Sequence, residues 1–379
     1  MSKVIFGDVV RRCNTKEDRH NTDKIYYVGG EHIESNEVLV ENRGLIEGST
    51  IGPMFYFGFK AGDILFVSRN PHLRKSGMVT FDGICSEKTF VLETKDESVL
   101  LQRYLAFVMQ SDHFWSYMEA HKSGSVNFFI NWSTLAKYEF ELPDVDKQKS
   151  ISDVLWAISD TQNAYKNLIK NTDALVQSRF IEITSNATST IMLEDCATLH
   201  ARVGWQALKK DEYQQTGDYM LITGTDFNNG SVDYSTCVYV SKERYDMDPN
   251  IQVQNGDILI TKDGTIGKVA VVENLTMPAT LNAGVFVVRP DGRFNVGYFA
   301  YQFKGPVFAN FVEQVKSGST IKHLNQGKLQ KYPIPMIDAN AQKQFADFYK
   351  DSEISKRELQ QSMENLNGLK KSILSENFN

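Results

Sequence analysis

SGSVNFFINWSTLAKYEFELPD (residues 123–144) and SGSTIKHLNQGKLQKYPIPMID (residues 317–338) are two versions of one pattern. Ser-Gly-Ser, Asn, Leu, Lys-Tyr and Asp recur at the same internal spacing, 194 residues apart. Other landmarks keep that offset. Gly224 falls on Gly30, the GDIL at 256–259 on the GDIL at 62–65, and Tyr298 on Tyr104. Phe308 falls on Phe114, Lys316 on Lys122, and Gln342-Lys343 on Gln148-Lys149. Unrelated residue types held at one offset indicate a tandem duplication.

Each copy has the same internal order. Short runs rich in β-branched and aromatic residues come first: KIYYVGG, MFYFGF, DILFVS and KTFVLET, then DYMLITG, TCVYVS, DILITK, KVAVVE and GVFVVRP. Bounded by Gly, Asn and Asp, these read as strands. A helical segment follows, then the Ser-Gly-Ser passage, then a longer helix. In the first long helix Ile151, Leu155, Ile158, Tyr165, Leu168 and Leu175 recur near every 3.5 residues; in the second Phe345, Phe348, Leu359, Met363, Leu366 and Ile373 do so. That period predicts a coiled-coil seam. About 35 residues make a helix of about 50 Å, and so narrow a stripe needs a partner to be stable. The predicted fold is therefore α+β: two tandem-duplicated α/β globules separated by two long antiparallel spacer helices, with pseudo-two-fold symmetry. The expected divisions are 1–146 (first globule), 147–185 (first helix and linker), 186–339 (second globule) and 340–379 (second helix). The alternative is a tandem pair whose helices pack only on their own globules.

Bulk composition narrows the function. The chain has 379 residues, 41% hydrophobic, with a formal charge of −6. That charge supplies no global attraction to nucleic acid, so any such contact has to be local. Four scattered cysteines without a CxxC pair suggest a reduced, cytoplasmic protein. No signal-like N-terminus and no membrane-length apolar run is evident.

Catalytic signatures are missing. DGTIGKV at 263–269 contains Gly-Lys, but the earlier Gly and the following Ser or Thr of a phosphate loop are absent; a tight turn between strands fits better. Asp82, Glu93 and Lys95 resemble the carboxylates of a metal-dependent nuclease, but the second copy has Val288-Arg289-Pro290 there. No HExxH, His/Cys cluster, Pro-Pro or nucleophile elbow occurs. A non-catalytic binding protein is expected, with no metal and no cofactor on this chain.

The duplicated GDIL, the DGTIGKVAVV, LNAGVFVVRP and RNPHLRKSGMVTFDGICS runs, the Ser-Gly-Ser passage and the long helices together resemble the specificity subunit of type I restriction–modification systems. The likeness spans essentially the whole chain, although Glu139-Phe140-Glu141 replaces Pro333-Ile334-Pro335 in the first copy. The resemblance implies that each globule is a target recognition domain reading one half of a bipartite, asymmetric double-stranded DNA site. It implies that the spacer helices set the half-site distance and bind methyltransferase modification subunits, which carry S-adenosylmethionine and methylate adenine. Restriction subunits, using ATP and Mg, join them. A separation of about 50 Å corresponds to one to one and a half turns of DNA.

Contacts are expected from basic, amide and hydroxyl side chains on loops. In the first globule Arg69, Asn70, Arg74 and Lys75 form a basic turn without an acid; in the second, Lys262, Thr265 and Lys268 occupy the equivalent hairpin. Each is a DNA contact or a solvated hairpin tip, and Lys262 has Asp263 as a competing partner. Lys122, Ser123 and Ser125, with Lys316, Ser317 and Ser319, form repeated loops whose backbone N–H groups suit a phosphate; plain loops are the alternative. Lys322 and His323 stand opposite Phe128 and Phe129 of the first copy. The repeated Lys137-Tyr138 and Lys331-Tyr332 read as structural. A protein-only scaffold and a nuclease remain the competing functions.

Overall fold

The computed structural model describes residues 2–185, 187–206, 208–316 and 323–378, apart from the side chains of Ser2 and Trp205. The chain divides into two compact units, one of Met1–Asn167 with Leu359–Asn379 and the other of Leu168–Glu358. Each unit therefore contains the beginning of one long helix and the end of the other.

The two units share a topology. In the first, a five-stranded sheet has the order Val10–Cys13, Thr89–Thr94, Ile64–Val67, Ser76–Val79, Leu39–Val40. In the second, Ala197–Ala201, Val285–Pro290, Ile258–Thr261, Val269–Val271 and Ser231–Val232 follow the same order, and Phe227–Asn228 adds an edge. The connection to the fifth strand is parallel in both. A smaller sheet repeats as well: Tyr26–Val28 lies between Gly44–Leu45 and Gly83–Ser86, as Met220–Ile222 does between Val238–Tyr239 and Ala279–Leu281. The Ile64–Val67 and Ile258–Thr261 strands are buried at every residue, which is why they read as apolar runs, the second closed by a buried Thr261.

The repeated passage ends at the start of a long helix in each unit, and its framework residues now have causes. Leu135 and Leu329 are fully buried. Tyr138 sits among Phe6, His113, Phe114, Tyr117 and Phe140. Tyr332 meets Phe303, Phe308 and Phe311, and donates to Gln302 O at 2.8 Å. Asp144 and Asp338 precede the helices: Asp144 Oδ1 accepts from Lys147 N at 2.8 Å, and Asp338 Oδ1 from Asn340 N and Ala341 N at 3.0 Å. Such caps satisfy N–H groups that the helix leaves open, each worth about 1 kcal/mol. Gln148 then accepts from Leu101 N and donates to Pro143 O, while Gln342 accepts from Asn295 N and donates to Ile337 O. The two joints share the same hydrogen bonds at the same offset.

The long helices are Val145–Ser185 and Ala339–Asn377, of 41 and 39 residues. In the first unit Gln162 Nε2 donates to Asn367 Oδ1 at 2.7 Å, and Ile151, Leu155, Ile373 and Leu374 join one core. Phe378 stacks on Tyr104 with centroids 4.9 Å apart. In the second unit Lys356 bonds Asp173 at 2.6 Å, and Phe180 meets Tyr298, Tyr301 and Phe345. Within each unit the beginning of one helix packs on the end of the other, so the pairing is antiparallel. Ile158 is buried; Tyr165, Leu359, Met363 and Leu366 are half-buried. The predicted seam needs two corrections: Leu168 and Leu175 point outward, 49% and 58% exposed. Their neighbours take the inner positions, Val176 being buried and Ile169 half-buried. Phe348 is half-buried against the second core. Polar residues fill other inner positions, namely Gln162, Ser352 and Lys370. Burial pulls the Lys370 ammonium below its usual pKa.

One core feature differs between the copies. Asp257 is buried and takes a bidentate bond from Arg289, both contacts at 2.7 Å. Its repeat partner Asp63 accepts from Lys60 N at 2.7 Å, as Asp257 does from Gln254 N at 2.8 Å. At the position of Arg289 in the strand register the first copy has Glu93, which pairs with Arg11 instead. Burial, with Glu93 nearby, raises the Asp63 carboxyl above its ordinary pKa.

Candidate nucleic-acid interface

The first hairpin joins the strands Ile64–Val67 and Ser76–Val79 through residues 68–75. Val67 N bonds Lys75 O at 3.0 Å, and a 3-10 turn, Pro71–Leu73, forms the crest. Asn70 and Arg74 flank it in the left-handed region, at φ 52° and 49°. That conformation is uncommon for a residue with a Cβ and easiest for Asn. The Ser-Gly-Ser passage lies along the hairpin. Asn70 N donates to Phe128 O at 2.9 Å and Ile130 N to Ser68 O at 2.8 Å. Ser123 and Phe129 exchange two backbone bonds of 2.9 Å, and Arg69 and Phe129 face each other. Gly124 turns this loop at φ 98°, where a Cβ would stand 2.7 Å from Asn127 O, so glycine is required there. Two candidates that were separate in sequence are thus one surface.

Not all of its cations are available. The turn was expected to lack an acid, yet Arg74 pairs with Asp112 at 2.5 Å. Asp112 begins a neighbouring helix and is remote in sequence, so the basic run could not reveal it. Lys75 donates to Gly30 O at 2.5 Å. Lys122 pairs with Glu119 at 2.7 Å and lies over the Phe128 ring. Arg69, Asn70 and Ser125 are exposed.

The second hairpin joins Ile258–Thr261 and Val269–Val271 through residues 262–268. Thr261 N bonds Lys268 O at 3.0 Å, and Leu324 N bonds Lys262 O at 3.0 Å, the counterpart of Ile130 with Ser68. Gly264 and Gly267, at φ 69° and 84°, fill the left-handed positions held by Asn70 and Arg74. Lys262 lies 3.4 Å from Asp263 Oδ2, and His323 Nδ1 contacts Asp263 Oδ1. The Asn282–Gly284 turn closes the other side: Lys262 N donates to Gly284 O at 2.9 Å, and Asn282 Nδ2 to the Tyr213 hydroxyl at 2.6 Å. Thr265 and Lys268 are exposed, and Lys316 pairs with Glu313. Ser317, Ser319 and Lys322 lie outside the described residues.

The shared hydrogen bonds set Asp263 opposite Arg69 and His323 opposite Phe129. Sequence reading named Phe129 only as the counterpart of His323 and Asp263 only as a competing partner of Lys262, and it passed over Asn282. The nuclease-like set does not assemble. Glu93 takes two bonds from Arg11, Asp82 accepts from Ala61 N, and Lys95 is bound to Gly7 O. Among the described residues no group of three His, Cys, Asp or Glu side chains is placed to hold a metal ion. Nor is any helix among them long and apolar enough to cross a membrane.

A solved type I restriction–modification S subunit from M. genitalium is similar to this chain with TM-score 0.64 at 14% identity, over 100% of this chain and 96% of that one. A chain from a type I R-M system, solved for its complex assembly and conformational transition, gives TM-score 0.55 at 17% identity, over 100% and 97%. These likenesses show a common fold. The family model described as "Type I restriction modification DNA specificity domain" matches twice, over residues 9–172 and 191–365. The chain belongs to that family, and is a DNA specificity subunit of a type I restriction–modification system.

Proposed function

We propose that the two globules, residues 1–146 and 186–339, are target recognition domains that read the two halves of a split, asymmetric double-stranded DNA site. Spacers 147–185 and 340–379 fix the distance between them. The observation that carries this reading is one hairpin built twice on the same backbone bonds with different exposed side chains. Arg69, Asn70 and Ser125 line the first; Lys262, Asp263, Thr265, Lys268 and His323 line the second. Equal scaffolds give equal approach to the duplex, and unequal side chains give unequal base preference.

The catalytic work belongs to partners. Methyltransferase modification subunits bring S-adenosylmethionine, and restriction subunits bring ATP and Mg; this chain supplies no cofactor and acts in the cytoplasm. The outward stripe of the first long helix suits a partner helix. Val154, Leu168 and Leu175 recur at multiples of seven and are 47%, 49% and 58% exposed. A methylome of cells carrying this chain with its modification subunits tests the reading. It should return one split motif with unlike halves. No sequence preference at any salt concentration would sink the reading, and no DNA binding at all would leave a protein scaffold.

A further inference from the structure

We propose that the facing pairs Arg69/Phe129 and Asp263/His323 are the specificity-determining positions of the two globules, and that they read opposite hydrogen-bond chemistry. Arg69 donates to the acceptors of a guanine. Asp263, oriented by His323, accepts from the exocyclic amino group of a cytosine or an adenine. This inference rests on the DNA-reading function proposed above and assigns its chemistry.

The argument begins with the scaffold. Both pairs bridge a hairpin and the first part of the repeated passage, beside the same bond, Ile130 N to Ser68 O and Leu324 N to Lys262 O. The next hairpin residue, Asn70 or Gly264, is left-handed in each copy. The backbone therefore presents positions 69 and 263 alike, and the side chain is what differs. Arg69 is exposed, and the residue facing it, Phe129, brings no charge. A guanidinium so placed has a planar fork of donors, which matches guanine O6 and N7.

Asp263 inverts this. Alone, a carboxylate facing phosphates would be repelled. Here Lys262 lies against one oxygen and offsets the charge locally, while His323 against the other holds the carboxylate plane. Its two oxygens offer about four lone-pair sites, so acceptor capacity remains for a base amino group. The half-exposed His323 also ties the repeated passage to the hairpin tip. In the first copy backbone bonds from Asn70 and Ile130 make that connection, and the second shares the latter as Leu324 N to Lys262 O. These pairs give the differing residues Phe129 and His323 a function: each sets what its hairpin tip presents.

The test uses the full complex of this chain with its modification subunits. Arg69→Ala, Asp263→Asn and His323→Ala are compared with the unsubstituted complex by methylome sequencing and by affinity for duplexes altered one base pair at a time. Arg69→Ala should relax one G·C position in one half-site, with discrimination there falling about tenfold or more. Asp263→Asn should alter one position in the other half-site, because an amide donates as well as accepts. His323→Ala should weaken that same position by a smaller factor. The untouched half-site serves as the folding control, since its preferences should persist in each variant. An equal loss of affinity at every base would make these residues phosphate contacts and overturn the assignment, as would unchanged discrimination. If the unsubstituted complex itself has no base preference, it is the DNA-reading function that fails.

Discussion

The two hairpins share their bonds and differ in their charge balance. The first holds Asn70 and Arg74 in left-handed positions, ties Arg74 to Asp112 and leaves Arg69 exposed. The second uses Gly264 and Gly267 for the same bends and spends its cation Lys262 and its His323 on Asp263. Duplication preserved the device, and divergence acted on what it displays. The lesson is that counting basic residues misleads at such a site: the richer cluster has fewer free cations than its sequence promises.

The largest effect should come from separating the copies. In the first unit Ile373 and Leu374 of the second long helix, with Phe378 just beyond its end, cover the core. In the second unit Phe180 of the first long helix meets Tyr298, Tyr301 and Phe345. A fragment ending at Ser185 loses its own cover and keeps Phe180 unpaired, so two copies should exchange helices. Analytical ultracentrifugation should show a dimer; a well-folded monomer at all concentrations would break the equivalence of the two helix ends.

Next comes the buried acid. Arg289→Ala strands Asp257, and should cost about 3–5 kcal/mol in chemical denaturation. Glu93→Ala, at the equivalent place, should cost less than about 1 kcal/mol because its pair with Arg11 is exposed. Equal costs would contradict the asymmetry of the two cores.

Smaller again is the cation comparison. The exposed Lys268 should act on phosphates, so Lys268→Ala should weaken binding to all sequences and reduce the salt slope by about one. Arg74→Ala should change that slope less, since Asp112 already holds it. A steeper loss from Arg74 in a salt titration would show that the ion pair opens on DNA.

The smallest effect concerns Asp63. Its folded pKa is raised, chiefly by burial. Such a group contributes stability that is fully present below the unfolded carboxylate pKa and lost as pH rises through the folded value. At neutral pH Asp63→Asn should therefore slightly raise the melting temperature, and the gain should vanish in acid. Asp257→Asn, which weakens the pair with Arg289, should lower it at neutral pH. A gain in both variants would refute the contrast.

Much of the fold was legible before any coordinates. The repeated passage marked its own boundaries because its Leu and Tyr fill a core and its Asp caps a helix, roles that local spacing records. The strands were legible as apolar runs because they are buried on both faces. The seam was legible only to within one residue. Leu168 and Ile169 are adjacent, as are Leu175 and Val176, and periodicity alone cannot choose between adjacent apolar residues. Gln162 and Lys370 at inner positions broke the pattern, and nothing local announces a glutamine that has a partner 205 residues away.

By itself, then, the sequence determined the duplication, the order of strands and helices in each copy, and the place where each long helix begins. These follow from spacing, capping and alternation, which act over a few residues. Tertiary structure decided the side-chain partners: Arg74 with Asp112, Asp257 with Arg289, His323 with Asp263. Such pairs depend on which loops meet, and that is settled by the packing of whole sheets and helices.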